Sequence, residues 1–394
     1  MNTPTKLEQL SPALVHPVGL ESIHGDAMPS DGTHRAIVRT VAGMQKEAIV
    51  THPEHSWRLS SDEGDYLDGD DIAPCPLGNM VTGMVATYLD SIIAAIDEQD
   101  ITLNGLDVTL DNYYTMQGSA LRGDMTGGAL DPELTVDIDV ADGDDTEVES
   151  LIREAINSAM ITDVMETALS NPFTLTLNGE ELTTDRVPQL ERSSPIDPDT
   201  AFTELSRPAG DTTEIIHRTG ETTEDFPEDR EQYTAGSGSS LESEQDRILH
   251  IRGHGTLRDD GQYHITQKIY SPKGTIFEFL ADRHPSIGGK HRSPTGATYI
   301  AAGIGFCFLT QFGRYAEIKR KQLDEYRIIQ DVPWSGDPND TDRDDPEPIQ
   351  THVHVDSPEG VDFAKDLLDF SEQTCFLHAL CREEVTPQVT VSID

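Results

Sequence analysis

Basic residues are scarce in this chain: 28 Lys and Arg stand against 72 Asp and Glu, a formal net charge of −44 at pH 7 over 394 residues. A surface so acidic repels nucleic acid and anionic membrane, and no Lys/Arg cluster escapes the excess. Four cysteines are too few for a structural disulfide framework, so any part they play is as thiols. Long apolar runs are missing too. Asp90 interrupts even Met80 to Ile96, and no segment is expected to span a bilayer. The opening Met1-Asn2-Thr3-Pro4-Thr5-Lys6 lacks a basic start followed by an apolar run, so no secretory leader is expected. Together these absences point to the cytoplasm. No P-loop, dinucleotide fingerprint or hydrolase elbow occurs, which removes the common nucleotide-binding and serine-hydrolase classes.

The acidic residues are spread across elements and loops rather than gathered in one tail. Such a chain repels itself unless ambient salt screens the charge, the pattern of a salt-adapted, halophilic protein. Its length suits two domains.

One stretch organises the rest, Ser293-Pro294-Thr295-Gly296-Ala297-Thr298-Tyr299-Ile300 and onward to Leu309. From Ala297 it is apolar on every side, which predicts a helix buried all round. Gly303 and Gly305 cost helix propensity, so they are expected where another backbone comes close. Ile300, Ile304, Cys307 and Gln311 fall on one helical face. Cys375 lies further on, after a helical pattern from Val361 to Phe370. Two cysteines on separate core helices have two readings: small buried hydrophobes, or a reactive pair.

The order of elements recurs along the chain. Arg35–Thr40 with Glu47–Val50 predicts a hairpin, mirrored by Arg247–Arg252 with Gln262–Ile265. Pro74-Cys75-Pro76-Leu77-Gly78 opens an apolar helix to about Ile96, as Ser293-Pro294-Thr295-Gly296 opens the later one. Leu134–Val140 and the helix from Thr146 correspond to Thr351–Val355 and the helix from Val361. Asn171–Leu175 corresponds to Thr386–Val391. The boundaries are a lead-in at 1–32, a first repeat at 33–182, a linker rich in Ser, Thr, Asp, Glu, Pro and Gly at 183–245, and a second repeat at 246–394. Most of 183–245 reads as linker, with Ala235–Ser240 as its flexible run and Ile215-Ile216 as an anchor. The fold class is α+β.

In this order of elements, and in the second half by its cysteine-bearing helices, the chain resembles the OsmC/Ohr family, osmotically induced and organic-hydroperoxide-resistance proteins. The resemblance implies two fused OsmC-like repeats forming an intrachain pseudo-dimer, with antiparallel sheets around long buried central helices, so that a single chain suffices as a monomer. It implies a peroxidase in which Cys307 attacks a small-molecule organic hydroperoxide and Cys375 resolves the product. A thiolate takes the distal peroxide oxygen, an alkoxide leaves, and the resulting sulfenic acid condenses with the second thiol to a disulfide and water. An external dithiol reductant then restores both thiols by exchange, with no other cofactor. In the family an arginine from the N-terminal hairpin serves the thiolate, held by a glutamate just after the proline that opens the helix. Gly255–Gly261 resembles the arginine-bearing turn and makes Arg258 the candidate. Thr295, or Thr298 in the alternative register, stands where the glutamate would be, and Glu278 is a substitute to consider. The first half has no thiol pair: Leu89 is placed opposite Cys307, Met160 opposite Cys375, and Lys46 near the place of Arg258. The alternative is a non-catalytic member of the same fold that binds a small apolar ligand, its cysteines serving as packing.

Other residues are set aside. Cys75 precedes its helix out of register, and Cys381 lies off the face of Cys375. His352 and His354 share a strand face without a third metal ligand placed by spacing. His284 and His291 flank the start of the Cys307 helix and could lend it positive charge. Asp337–Asp345 lacks the glycine and terminal glutamate of an EF-hand and reads as a solvated loop.

Overall fold

The computed structural model describes Leu7 and residues 13–19, 32–204, 215–224, 239–340 and 345–393. Most of the expected lead-in, residues 235–238 of the expected flexible run, and residues 341–344 of the acidic loop lie outside the described residues. In chain order come β1 (Val15–Pro17), β2 (His34–Ala42), β3 (Gln45–His52), β4 (His55–Ser61), α1 (Pro76–Glu98), β5 (Leu103–Ser119), β6 (Thr126–Ala129), β7 (Glu133–Val140), α2 (Asp145–Asn157), α3 (Met160–Glu166), β8 (Phe173–Leu177) and β9 (Glu180–Leu182). Then follow α4 (Pro198–Glu204), β10 (Ile216–Glu221), β11 (Glu244–Leu257), β12 (Tyr263–Ser271), β13 (Thr275–Ala281), α5 (Gly296–Lys319), β14 (Glu325–Val332), β15 (Gln350–Asp356), α6 (Val361–Thr374), α7 (Phe376–Arg382) and β16 (Gln388–Ile393). The stretch from 183 to 245 therefore holds a helix, α4, and a strand, β10, which begins at Ile216 and pairs with β13.

Two eight-stranded sheets enclose the core. One runs β1-β4-β3-β2-β14-β15-β8-β9. The other runs β10-β13-β12-β11-β5-β7-β16, with β6 on β5. Each sheet takes strands from both halves of the chain. β2 pairs antiparallel with β14 in the first, and β11 with β5 in the second. Each sheet also closes on one parallel pair, β15 with β8 and β7 with β16. The exchange carries the hairpin strands β2 and β3 onto α5, and β11 and β12 onto α1. It is held across the join by a buried bidentate pair, in which Arg35 on β2 donates to Asp331 on β14 at 2.6 and 2.8 Å.

Helices α1 and α5 cross at the centre, and small residues set how closely. A Cβ on Gly303 would lie 2.9 Å from the Met80 nitrogen and 3.1 Å from the Pro76 oxygen. One on Gly83 would lie 2.6 Å from the Gly296 oxygen. Gly303 thus permits the backbone approach expected of it. Gly305 instead faces a side chain, Val38, at 2.7 Å. Proline at the first position of α1 starts that helix, and α5 ends where Arg320 turns left-handed at φ 52°.

One sequence expectation needs correcting. α1 is long and apolar enough to cross a membrane by length and composition, Asp90 notwithstanding. Its apolar faces are spent inside the protein, where residues from Pro76 to Ile93 are buried almost without interruption. Asp90 is tolerated because Tyr263 Oη donates to it at 2.6 Å and the His284 amide at 3.2 Å.

Candidate functional site

Cys307 lies near the middle of α5 and is 2% exposed; Cys375 caps the start of α7 and is fully buried. Both are free thiols. The fold brings them close enough to interact: burial, then the interaction with Cys307, pushes the Cys375 thiol well above the ordinary range. The backbone amide of His378 donates to Cys375 Sγ at 3.5 Å.

The spacing of the two helices is fixed by Gln311, one turn beyond Cys307. Its Oε1 accepts from Thr374 Oγ1 at 3.2 Å and from Arg314 Nη1 at 3.2 Å. Thr374 immediately precedes Cys375, so this glutamine ties the second thiol's backbone to the first thiol's helix.

A cavity of about 30 Å³ opens beside Cys307, walled by Glu63, Tyr66, Pro76, Leu77, Arg247, Gln311 and Arg314. Cys375 is not among its lining residues. Glu63 follows β4 and is 4% exposed. Its carboxylate accepts from Thr310 Oγ1 at 2.6 Å and Tyr66 Oη at 3.0 Å, and lies 3.7 Å from Lys46 Nζ. Lys46, on β3 and 1% exposed, also donates to the Met44 carbonyl at 2.5 Å. Burial, then the charge of Glu63, raises the Tyr66 hydroxyl far above its usual range. Arg314 is pulled down to about 9 by burial and then by Arg247.

Arg258 does not reach this site. Its guanidinium is half-exposed and pairs with Asp260 at 3.2 Å. The strand leading to it lies over the later turns of α1, with Gly255 against Val85 and Leu89, whereas the cavity is walled by Pro76 and Leu77 at the helix start. The reason is the strand exchange: the first-half hairpin, not the second-half one, packs on the helix that carries Cys307. Lys46, which the sequence puts only near the place of Arg258, lies on β3 of the hairpin that packs on α5. Glu63 falls in an acidic stretch, Asp62-Glu63-Gly64-Asp65, that by itself carries no distinguishing signal.

The remaining candidates fall elsewhere. Thr295 and Thr298 bond each other at 3.1 Å, and Thr298 meets His55 at 3.2 Å. Glu278 faces His264 at 3.1 Å. Counted from the helix N-caps, Thr87 rather than Leu89 stands opposite Cys307, and Ala159 rather than Met160 opposite Cys375. Cys75 caps α1, and Cys381 is buried in α7; burial pushes both thiols up. His352 Nδ1 meets Thr174 at 3.0 Å and His354 Nε2 meets Ser194 at 3.4 Å. No cluster able to hold a metal ion occurs among the described residues. His284 and His291 lie by the start of α5, His291 stacked on His55 with ring centroids 4.7 Å apart.

An α+β fold with two buried free thiols on neighbouring core helices defines a class of candidate thiol proteins. Residues 288–390 match the family described as OsmC-like protein, a span containing both Cys307 and Cys375. The chain therefore carries an OsmC-like domain over these residues. No curated protein matches the chain.

Proposed function

We propose that this protein is a cysteine-based peroxidase that reduces organic hydroperoxides and protects against oxidative stress. The observation that carries the reading is that two buried free thiols lie close enough to interact, with Cys307 and not Cys375 on the wall of the cavity. Cys307, on the cavity wall, is the attacking thiol. Its thiolate takes the distal oxygen of the hydroperoxide, the O–O bond breaks, and the alkoxide leaves as the alcohol after taking a proton. The Cys375 sulfur then attacks the sulfenic sulfur, its proton leaves with the sulfenic hydroxyl as water, and the disulfide forms. An external dithiol supplies two electrons to reopen it.

A second thiol that interacts with the first favours this chemistry, since disulfide closure requires Cα atoms within about 7 Å. Lys46 and Glu63 take the places that the resemblance gave to the arginine and glutamate. In this reading the two halves are repeats of one unit folded as a pseudo-dimer, with the matching strand orders of the two sheets in support. The first half supplies Lys46 and Glu63 while the second supplies the thiols. Mild treatment with cumene hydroperoxide should remove two hydrogens from the intact mass and yield a mapped Cys307–Cys375 linkage. Cys307→Ser should abolish dithiol-dependent peroxide consumption. Thiols that stay inert, or turnover that survives the substitution, would overturn the proposal.

A further inference from the structure

Two arginines share the cavity wall with Cys307, and neither is in an ion pair among the described residues; Glu242 acts on Arg247 only as a more distant charge. Arg314 is 1% exposed. Its Nε donates to the Ser240 carbonyl at 2.7 Å, Nη1 to Gln311 at 3.2 Å, and its other contacts are the sulfurs of Met116 at 3.6 Å and Met125 at 3.2 Å. Arg247 is 7% exposed and its Nε is buried with no hydrogen-bond partner. The carboxylate on the same wall, Glu63, is occupied by Thr310, Tyr66 and Lys46. Burying unpaired charge is costly, and an unsatisfied buried donor adds to the cost. Guanidinium forks suit planar oxyanions, which they grip with parallel N–H···O bonds.

We infer that Arg247 and Arg314 hold one carboxylate-sized anionic group in the cavity beside Cys307. The volume of about 30 Å³ has room for such a group and not for a large ligand head. The group has two possible sources with the same chemistry: a free small carboxylate, or the carboxylate of a hydroperoxide substrate. Only the second source rests on the peroxidase reading.

The test separates these. Binding of ¹³C-formate is titrated by NMR on the full chain carrying Cys307→Ser, at constant ionic strength, so that no thiol chemistry contributes. Formate should bind, and Arg247→Met or Arg314→Met in that background should weaken it at least tenfold with the circular dichroism spectrum unchanged. Arg247→Met is the safer variant for folding, because the Arg247 side chain makes no hydrogen bond that would be lost. Absence of formate binding, or binding indifferent to Arg247→Met, overturns the anion site. With the thiols intact, 4-hydroperoxy-4-methylpentanoate is then compared with its methyl ester. A preference for the acid that Arg247→Met removes assigns the anion to the substrate. Equal consumption with formate still bound assigns it to a free carboxylate. Consumption of neither, with formate still bound, sinks the peroxidase reading alone.

Discussion

Thr310 Oγ1 donates to Glu63 at 2.6 Å, joining the Cys307 helix to the segment that follows the first-half strands. Counted from the helix N-caps, Asp90 stands on α1 where Thr310 stands on α5. There the polarity is reversed: the acid is on the helix, and Tyr263 from the opposite half donates to it. At this position each central helix makes a buried polar contact with the other half, and on α5 Cys307 stands one turn before it.

Lys46→Met should be strongly destabilising, because it leaves Glu63 buried without its cation. Breaking such a pair from one side costs roughly 3–5 kcal/mol. Lys46→Met combined with Glu63→Gln should recover most of the loss, since no uncompensated charge remains. Urea denaturation of the single and double variants measures both. A Lys46→Met variant as stable as the parent would mean that the pair contributes little. If the proposed chemistry holds, the stable double variant should still react more slowly with hydroperoxide, which stopped-flow kinetics on its thiols would read.

Asp90 gives a prediction of opposite sign in pH. Burial raises its carboxyl to about 8, with the bonds from Tyr263 and His284 only partly offsetting this. In the unfolded chain the carboxyl ionises near 4, so between about 4 and 8 the folded state holds a proton that the unfolded state has lost. Stability from this group is complete below the lower value and is lost as pH rises through about 8. Asp90→Asn should therefore gain on the parent as pH rises from 5 to 9, approaching at most about 1.4 kcal/mol per unit. Denaturation midpoints at several pH values decide it; a constant difference between the two proteins would count against the protonated carboxyl.

How much of this was legible in the sequence follows from what local patterns encode. The buried helix around Cys307, the hairpin at 35–50 and the α+β class rest on periodicity, which a single segment carries. The close approach at Gly303 was readable because a glycine in a helix interior needs a reason. Placing the cation was not a local problem. The fingerprint turn around Arg258 has the expected residues, yet strand exchange sends its hairpin to the wrong helix for Cys307. Glu63 was hidden for a related cause: in a chain so rich in acids, one more Asp/Glu-rich loop carries no distinguishing signal. The register of Thr87 against Cys307 was missed because the proline opens α1 from inside, at its first position, while in α5 the proline precedes the cap.

The histidines near the start of α5 make the protein acid-sensitive. His34, His52 and His55 cluster with ring centroids 4.7 to 5.9 Å apart. Burial first, then the neighbouring histidines, depresses His55 to about 3 and holds His34 well below its usual value. His352 is brought to about 4, mainly by burial. For each, the folded state binds fewer protons than the unfolded chain below the unfolded value near 6.5. Their contribution is intact above that value and is lost as pH falls towards the folded one, at up to about 1.4 kcal/mol per unit for each group. Stability should drop between pH 6.5 and 4.5, and His55→Gln should flatten that slope. An unchanged slope in the variant would assign the acid response to other groups.

Gly303 offers the sharpest test of how the helix crossing supports the site. Alanine should improve intrinsic helix propensity by about 1 kcal/mol. The new Cβ, however, would meet backbone atoms of Met80 and Pro76, which cannot move aside as a side-chain tip can. Overpacking of that kind typically costs about 1–3 kcal/mol, so Gly303→Ala should be net destabilising. The control lies on the same helix: a Cβ at Gly313 would meet the hydroxyl end of Tyr326 at 2.7 Å, a contact that a small side-chain shift relieves. Gly313→Ala should be near neutral or stabilising. The two variants differ in a second way. Pro76 and Leu77, on the helix that Gly303→Ala displaces, wall the cavity beside Cys307. Gly303→Ala should therefore change the rate at which iodoacetamide reaches Cys307, measured by peptide mass mapping under native conditions, while Gly313→Ala should leave it within about twofold. Equal rates in both variants would show that the crossing distance does not govern access to the thiol.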